Sequence, residues 1–130
     1  MTADPHVLAV GTLFDRYFSG INTKQYEQVL VLFDPSGFLD PTDPAQVEAF
    51  TTGVSTTTDS LVVLRSMAED AAQEGDLDAR LTFQSHQAAG FGPPGSPEEI
   101  CTNWDITYQL RPAGAGYRIF SPRNVVHTPC

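Results

Sequence analysis

The side chains of this chain best suited to chemistry are few and scattered. Two cysteines, Cys101 and Cys130, allow one disulfide and no zinc site by themselves. If the last two strands form a hairpin around the turn 112–116, Cys101 falls opposite roughly residue 127, and Pro129 can bend the tail back. That register favours a bond over one buried cysteine and one loose terminal thiol. Across a loop of ~30 residues such a bond stabilises by roughly 3–4 kcal/mol and implies an oxidising compartment. Neither cysteine has a recognisable base partner, which disfavours a nucleophile. His6, His86 and His127 have no ligand at i+2 or i+4, so no metal site and no cofactor is indicated. Gly90, Gly92 and Gly95 sit among Pro93, Pro94 and Pro97 and form no phosphate loop. The remaining candidates are aromatic. Trp104 and Tyr108, joined by Phe83, Phe14 and Tyr17, can line an interior pocket for a small apolar molecule, with Ser85 or Gln87 as polar handles. The alternative is that the same rings pack on one another and fill the interior.

The 130 residues carry 16 acidic and 7 basic side chains, a net charge of −9, and Lys24 is the only lysine. This balance argues against a nucleic-acid partner and against an anionic membrane surface. No stretch approaches the roughly 18 apolar residues of a membrane span. The N-terminal segment Met1-Thr2-Ala3-Asp4-Pro5 lacks the features of a signal peptide. The expectation is an exported domain whose signal lies outside this sequence, or else a cytoplasmic one. The length fits a single domain over residues 1–130.

The elements that must position these residues divide into helices first and strands second. Asp4 and Pro5 read as cap and first position of a helix carrying Val7, Val10, Phe14, Tyr17, Phe18 and Ile21, stopped by Gly20 and Asn22. Thr23 reads as the cap of a second, with Tyr26, Val29, Leu30 and Phe33 on one face. Asp43-Pro44-Ala45-Gln46 opens a third, with Val47 and Phe50, closed by Gly53. Strands follow at 56–67, 79–87 and 101–110, and another starts at 117–120. Ala79, Leu81 and Phe83 alternate with polar residues. Trp104, Ile106, Tyr108 and Leu110 do the same, which turns Asn103, Asp105 and Thr107 to the opposite face. Helices packed on one face of an antiparallel sheet make an α+β fold. The long loop 88–99, with Phe91 in it, reads mainly as flexible.

The run Phe14-Asp15-Arg16-Tyr17-Phe18-Ser19-Gly20-Ile21-Asn22, the following helix with Tyr26 and the stop at Phe33-Asp34-Pro35 resemble the opening of the NTF2-like superfamily. That group includes SnoaL-like cyclases and ketosteroid isomerases. The resemblance extends over about 7–123. Its second half is most similar to non-catalytic domains of exported bacterial proteins. It implies three helices packed on a curved, mostly antiparallel sheet, shaped as a cone with a pocket at its open end, and a homodimer through the outer sheet face. A dimer would cover Thr82, Gln84, Thr107 and Gln109.

The resemblance to the isomerases also nominates Asp40, which precedes Pro41, as a general base, and Tyr17 as the donor to an oxyanion. That chemistry needs a desolvated carboxylate and a neutral donor. The handed-down pattern includes a second acid. Asp105 lies in about the right strand but on the outward parity, so the set is incomplete. The leading expectation is therefore a non-catalytic module that binds a small apolar molecule or a partner protein. The competing one is an isomerase, dehydratase or cyclase acting on a carbonyl-bearing polycyclic or polyketide-like substrate, and the third is a structural dimerisation domain.

Overall fold

A computed structural model describes residues 4–130; the reading of Met1, Thr2 and Ala3 lies outside the described residues. The chain runs α1 (Pro5–Asn22), α2 (Tyr26–Leu30), α3 (Pro44–Gly53), β1 (Thr58–Glu69), β2 (Leu77–His86), β3 (Cys101–Ala113) and β4 (Gly116–Pro129). Asp4 caps α1 by accepting from the His6 N–H at 2.8 Å, and Asp43 caps α3 by accepting from the Ala45 N–H at 3.0 Å. In both, proline occupies the first helical position, where its missing donor is not needed.

The second helix departs from expectation. Thr23 closes α1 rather than opening α2: its N–H and its hydroxyl both donate to the Ser19 carbonyl. Lys24 then turns through a left-handed conformation, φ 59°, and α2 is only five residues long. A Cβ on Gly20 would come within 2.3 Å of a Val29 methyl, so glycine is what lets α1 and α2 approach. Phe33 leaves the helix and bridges to Ile119 of β4, with Ile119 donating to the Leu32 carbonyl and Asp34 to the Ile119 carbonyl, each at 2.8 Å.

The four strands form one antiparallel sheet in the order β1-β2-β3-β4. Its inner face is a set of cross-strand rows. Leu64, Leu81 and Ile106 make one, and Met67, Ala79 and Tyr108 another. These pack against Val10, Leu13, Phe14, Phe18 and Ile21 of α1 to form the core. The fold is thus α+β, helices followed by an antiparallel sheet, as expected.

Alternation correctly turned Asp105 outward, where it pairs with Arg80 through two bonds of 2.9 and 2.6 Å. β4 runs well beyond the expected start because an edge strand tolerates Pro122 and Pro129. Register shifts lie between Thr107 and Tyr108 and between Gln109 and Leu110. Together with the tight turn at Gly114-Ala115, they carry the pairing forward until Thr102 meets Pro129. Cys130 then donates its N–H to the Cys101 carbonyl, and the two side chains form a disulfide with Cα atoms 5.4 Å apart.

Candidate functional site

The expected pocket residues do converge on the inner face of the sheet. Phe14 lies 5.2 Å from Tyr108, ring centre to ring centre. Tyr17 stands edge-on to Phe18 at 5.0 Å and to Phe33 at 6.1 Å. Phe18 meets Phe83 at 4.9 Å, and Phe83 stacks on Trp104 with planes 17° apart. Most of the interior is therefore filled by rings packed edge to face or offset, the geometries their quadrupoles favour.

Ser85 and Gln87 are buried at one end of this aromatic row. The Trp104 indole donates to the Ser85 hydroxyl at 2.8 Å, and Ser85 donates to the Gln87 side-chain oxygen at 2.7 Å. Gln87 donates in turn to the Thr102 hydroxyl at 3.0 Å and to the Glu99 carbonyl at 2.7 Å. These handles are spent on holding Trp104 and the loop in place, and a ligand would have to displace a bond to use them.

Tyr17 and Asp40 are not brought together by any hydrogen bond. The Asp40 carboxylate sits at the surface in the loop after α2. One oxygen accepts from both the N–H and the hydroxyl of Thr42, at 2.9 and 2.7 Å. Those two bonds hold its pKa below the ordinary carboxyl range, the reverse of what proton abstraction at neutral pH requires.

The acid whose charge reaches Tyr17 is Asp59, at the start of β1. Asp59 pairs with Ser85 across the sheet and is buried, 8% exposed. Burial without any compensating cation pushes its carboxyl up to about 7. Its charge acts on both interior phenols: Tyr17 is raised by its own burial and then by Asp59, and Tyr108 by its own burial, then by Tyr17 and then by Asp59. Among the described residues, the sealed side-chain oxygens and nitrogens without a hydrogen bond are Asp70 Oδ2, which has the Arg123 guanidinium 3.0 Å away as its ion-pair partner, and Asp78 Oδ1. The Tyr17 and Tyr108 hydroxyls and the Asp59 carboxyl also lack a protein hydrogen bond, yet they are not sealed.

A slot of about 180 Å³ between α1 and β1, walled by Val10, Phe14, Phe18, Val62, Leu64 and Leu81, leads to the rings that flank Tyr17. A roomier cleft of about 590 Å³ lies around His6, Tyr117 and the end of β1. Its principal polar pair is already joined, His6 Nδ1 lying 2.8 Å from the Tyr117 hydroxyl. No three His, Cys, Asp or Glu side chains converge as a metal site among the described residues.

The outer sheet face is laced by its own side chains. Arg65 donates to Thr82 at 2.8 Å, Gln84 to Asn103 at 3.1 Å, and Gln109 is buried with its amide on Asp76 at 2.7 Å. Of the patch expected to dimerise, Gln109 is thus withdrawn from the surface.

Asp59 was missed by sequence reasoning because alternation misleads at that point. In a regular strand Asp59 would share a face with Leu61 and Val63, both of which are exposed. The register shift between Ser60 and Val63, with Leu61 at φ 56°, puts Asp59 on the face of Leu64 and Met67 instead. The usable signal was a lone acid entering an apolar strand.

No family model matches the sequence, and no curated protein matches it. Solved structures do. An uncharacterised protein with a cystatin-like fold from Caulobacter vibrioides is 16% identical, with a TM-score of 0.62 over 93% of this chain and 92% of that one. The beta subunit of a benzoate 1,2-dioxygenase from Burkholderia mallei is 13% identical, with a TM-score of 0.58 over 98% and 93%. A Δ5-3-ketosteroid isomerase from a Mycobacterium species is 10% identical, with a TM-score of 0.52 over 97% and 100%. At these identities the likeness establishes the fold, which is the NTF2-like cone, and leaves the activity to be argued from the site.

Proposed function

We propose that this NTF2-like cone binds a small, mainly apolar molecule carrying a carbonyl or hydroxyl oxygen, anchored by Tyr17, Tyr108 and Asp59. The observation that carries the reading is that three buried polar groups have no protein hydrogen bond among the described residues, while Phe14 and Phe18, which touch Tyr17, wall a slot of about 180 Å³. A buried polar group normally has a partner, because leaving it without one costs about 1–3 kcal/mol. A ligand oxygen accepting from a phenol and a ligand hydroxyl donating to Asp59 would each supply one. The test is a thermal-shift panel of aromatic and alicyclic ketones, phenols and alcohols. A compound well above its Kd raises Tm by about 5–10 °C. Tyr17→Phe and Asp59→Asn should reduce that shift, while Asp40→Asn should leave it intact. Equal responses in all three variants would overturn the reading.

A second reading, proton transfer in an isomerase, dehydratase or cyclase, is favoured by the Asp59 carboxyl lying at about 7. Asp59 would take the proton from a carbon beside a carbonyl and return it elsewhere, while Tyr17 donates to the enolate oxygen. In that reading Asp59 assumes the role first assigned to Asp40. Incorporation of solvent deuterium next to the carbonyl of a bound ketone, abolished by Asp59→Asn and kept by Asp40→Asn, would support it.

Two further points belong to the same proposal. Exposed Val63 and Val126 flank Thr82 and Asp105 on the outer sheet face, which supports pairing with a second copy; sedimentation of the intact chain as a monomer would refute it. The disulfide supports residence in an oxidising compartment. No helix among the described residues is long and apolar enough to cross a membrane.

A further inference from the structure

β1 lies at the edge of the sheet, so one side of its backbone has no strand beside it. At Asp59 that side is occupied by the last residue of α1. The Asn22 side-chain amide donates to the Asp59 carbonyl at 2.9 Å, and the Asn22 side-chain oxygen accepts from the Asp59 N–H at 2.7 Å. One carboxamide thus takes both backbone groups of one residue, as a neighbouring strand would. The Asp59–Ser85 pair must then be of the kind whose N–H and C=O point away from each other's strand.

Location makes this clamp more than a helix stop. Immediately beyond it the sheet gives Asp59 little support: pairing shifts after Ser60, and Leu61 is in the left-handed region. Strand alternation alone turns a side chain by 180° for each residue of slip. A carboxyl at this edge would gain hydration by turning outward, since desolvation is what burdens it inside. The two Asn22 bonds oppose that turn by fixing the backbone from which the side chain departs. The same junction has other ties, from Lys24 to the Ser55 carbonyl and from the Tyr26 hydroxyl to the Val54 carbonyl at 3.4 Å. Neither reaches Asp59.

We propose that Asn22 is a positioning residue: its carboxamide clamps the Asp59 backbone so that the carboxyl points into the cone and not into water. This rests on the reading of Asp59 as a polar anchor of the interior site. Desolvation is what shifts Asp59; the titratable groups that feel its charge are Tyr17 from α1 and Tyr108 from β3, and neither phenol, both raised, carries charge at neutral pH.

The test is an NMR titration of the Asp59 carboxyl carbon in the ligand-free chain. In the unaltered protein the midpoint is expected near 7. Asn22→Ala, which loses both bonds, should lower it by at least about one pH unit as the carboxyl reaches water. Asn22→Ser, which is too short to span both groups, should do the same and serves if the alanine variant does not fold. Tyr26→Phe removes a neighbouring tie without touching Asp59 and should lower Tm while leaving the midpoint in place. A folded Asn22→Ala or Asn22→Ser chain with an unshifted midpoint would overturn the inference. Because no ligand is present, that failure is distinct from failure of the ligand panel. An unaltered chain titrating in the ordinary carboxyl range would overturn the interior-acid reading itself.

Discussion

Asp59 and Asp70 stand at opposite ends of the same strand, one near the start of β1 and the other just past its end, and both are buried, 8% and 7% exposed. Their surroundings have nothing else in common. One Asp70 oxygen accepts from the N–H groups of Ala72 and Gln73 at 2.8 and 2.9 Å, which shapes the turn into β2. The other lies 3.0 Å from an Arg123 guanidinium nitrogen. Next to it, Asp76 accepts from Gln109 at 2.7 Å and from Arg111 at 3.2 Å. Backbone bonds and Arg123 hold the Asp70 carboxyl below its ordinary range, while the adjoining Asp78, desolvated and facing Asp70, is raised. Asp59 has its backbone held but its carboxyl left bare. Burial alone therefore does not mark a site here. The informative difference is between an acid whose charge the fold has answered and one whose charge it has not.

The comparison can be broken most forcefully at the Asp70 end. Arg123→Ala leaves a buried carboxylate without its cation, and Tm at pH 7 should fall by about 10 °C. The loss should shrink in acid as Asp70 protonates, because a lowered folded-state pKa supplies stability only while the group is ionised. A melting curve shifted by less than about 2 °C would show that the turn does not depend on this pair.

Asp59→Asn should act in the opposite direction. An acid raised from 3.8 to about 7 binds its proton more tightly in the folded chain. It therefore burdens folding increasingly as pH rises from about 4 to about 7, and not at all below. The variant should gain roughly 3 kcal/mol at pH 8, about 5–10 °C in Tm, and nothing at pH 3. Equal Tm differences at the two pH values would mean that Asp59 ionises as freely in the fold as out of it.

The smallest effect sharpens the contrast by removing burial from it. Arg80 and Asp105 make a two-bond ion pair on the outer sheet face, with side chains 49% and 35% exposed. Arg80→Ala should change Tm by less than about 2 °C, and added salt should erase the difference. A loss comparable to that of Arg123→Ala would show that ion pairing, and not its burial, sets the scale.

Much of this architecture was legible beforehand. The two Asp-Pro starts fix α1 and α3, and alternation fixes the inward faces of β2 and β3, with Trp104 and Tyr108 inside and Asp105 outside. The hidden features share one cause. They depend on contacts between residues far apart in the chain, which local pattern does not contain. Local pattern marks only the start of the last strand, at 117–120, and its continuation through Pro122 shows only as an edge strand beside β3. Nothing in the strand at 56–67 singles out Asp59 until the shift at Leu61 turns it, and Asn22 reads as a helix stop until β1 arrives beside it. Of the candidate site, its aromatic walls were legible, whereas its acid and the residue that aims it were not.

The bond between Cys101 and Cys130 closes the last two strands into a covalent ring, 29 residues apart along the chain. The exposed turn at Gly114-Ala115 lies within that ring. A protease that cuts there opens the ring without releasing either piece, so the nicked chain stays one molecule until a reductant is added. Gels run with and without reductant would read the cut as one band against two. The C-terminal strand can thus survive a severed hairpin with its register kept by sulfur.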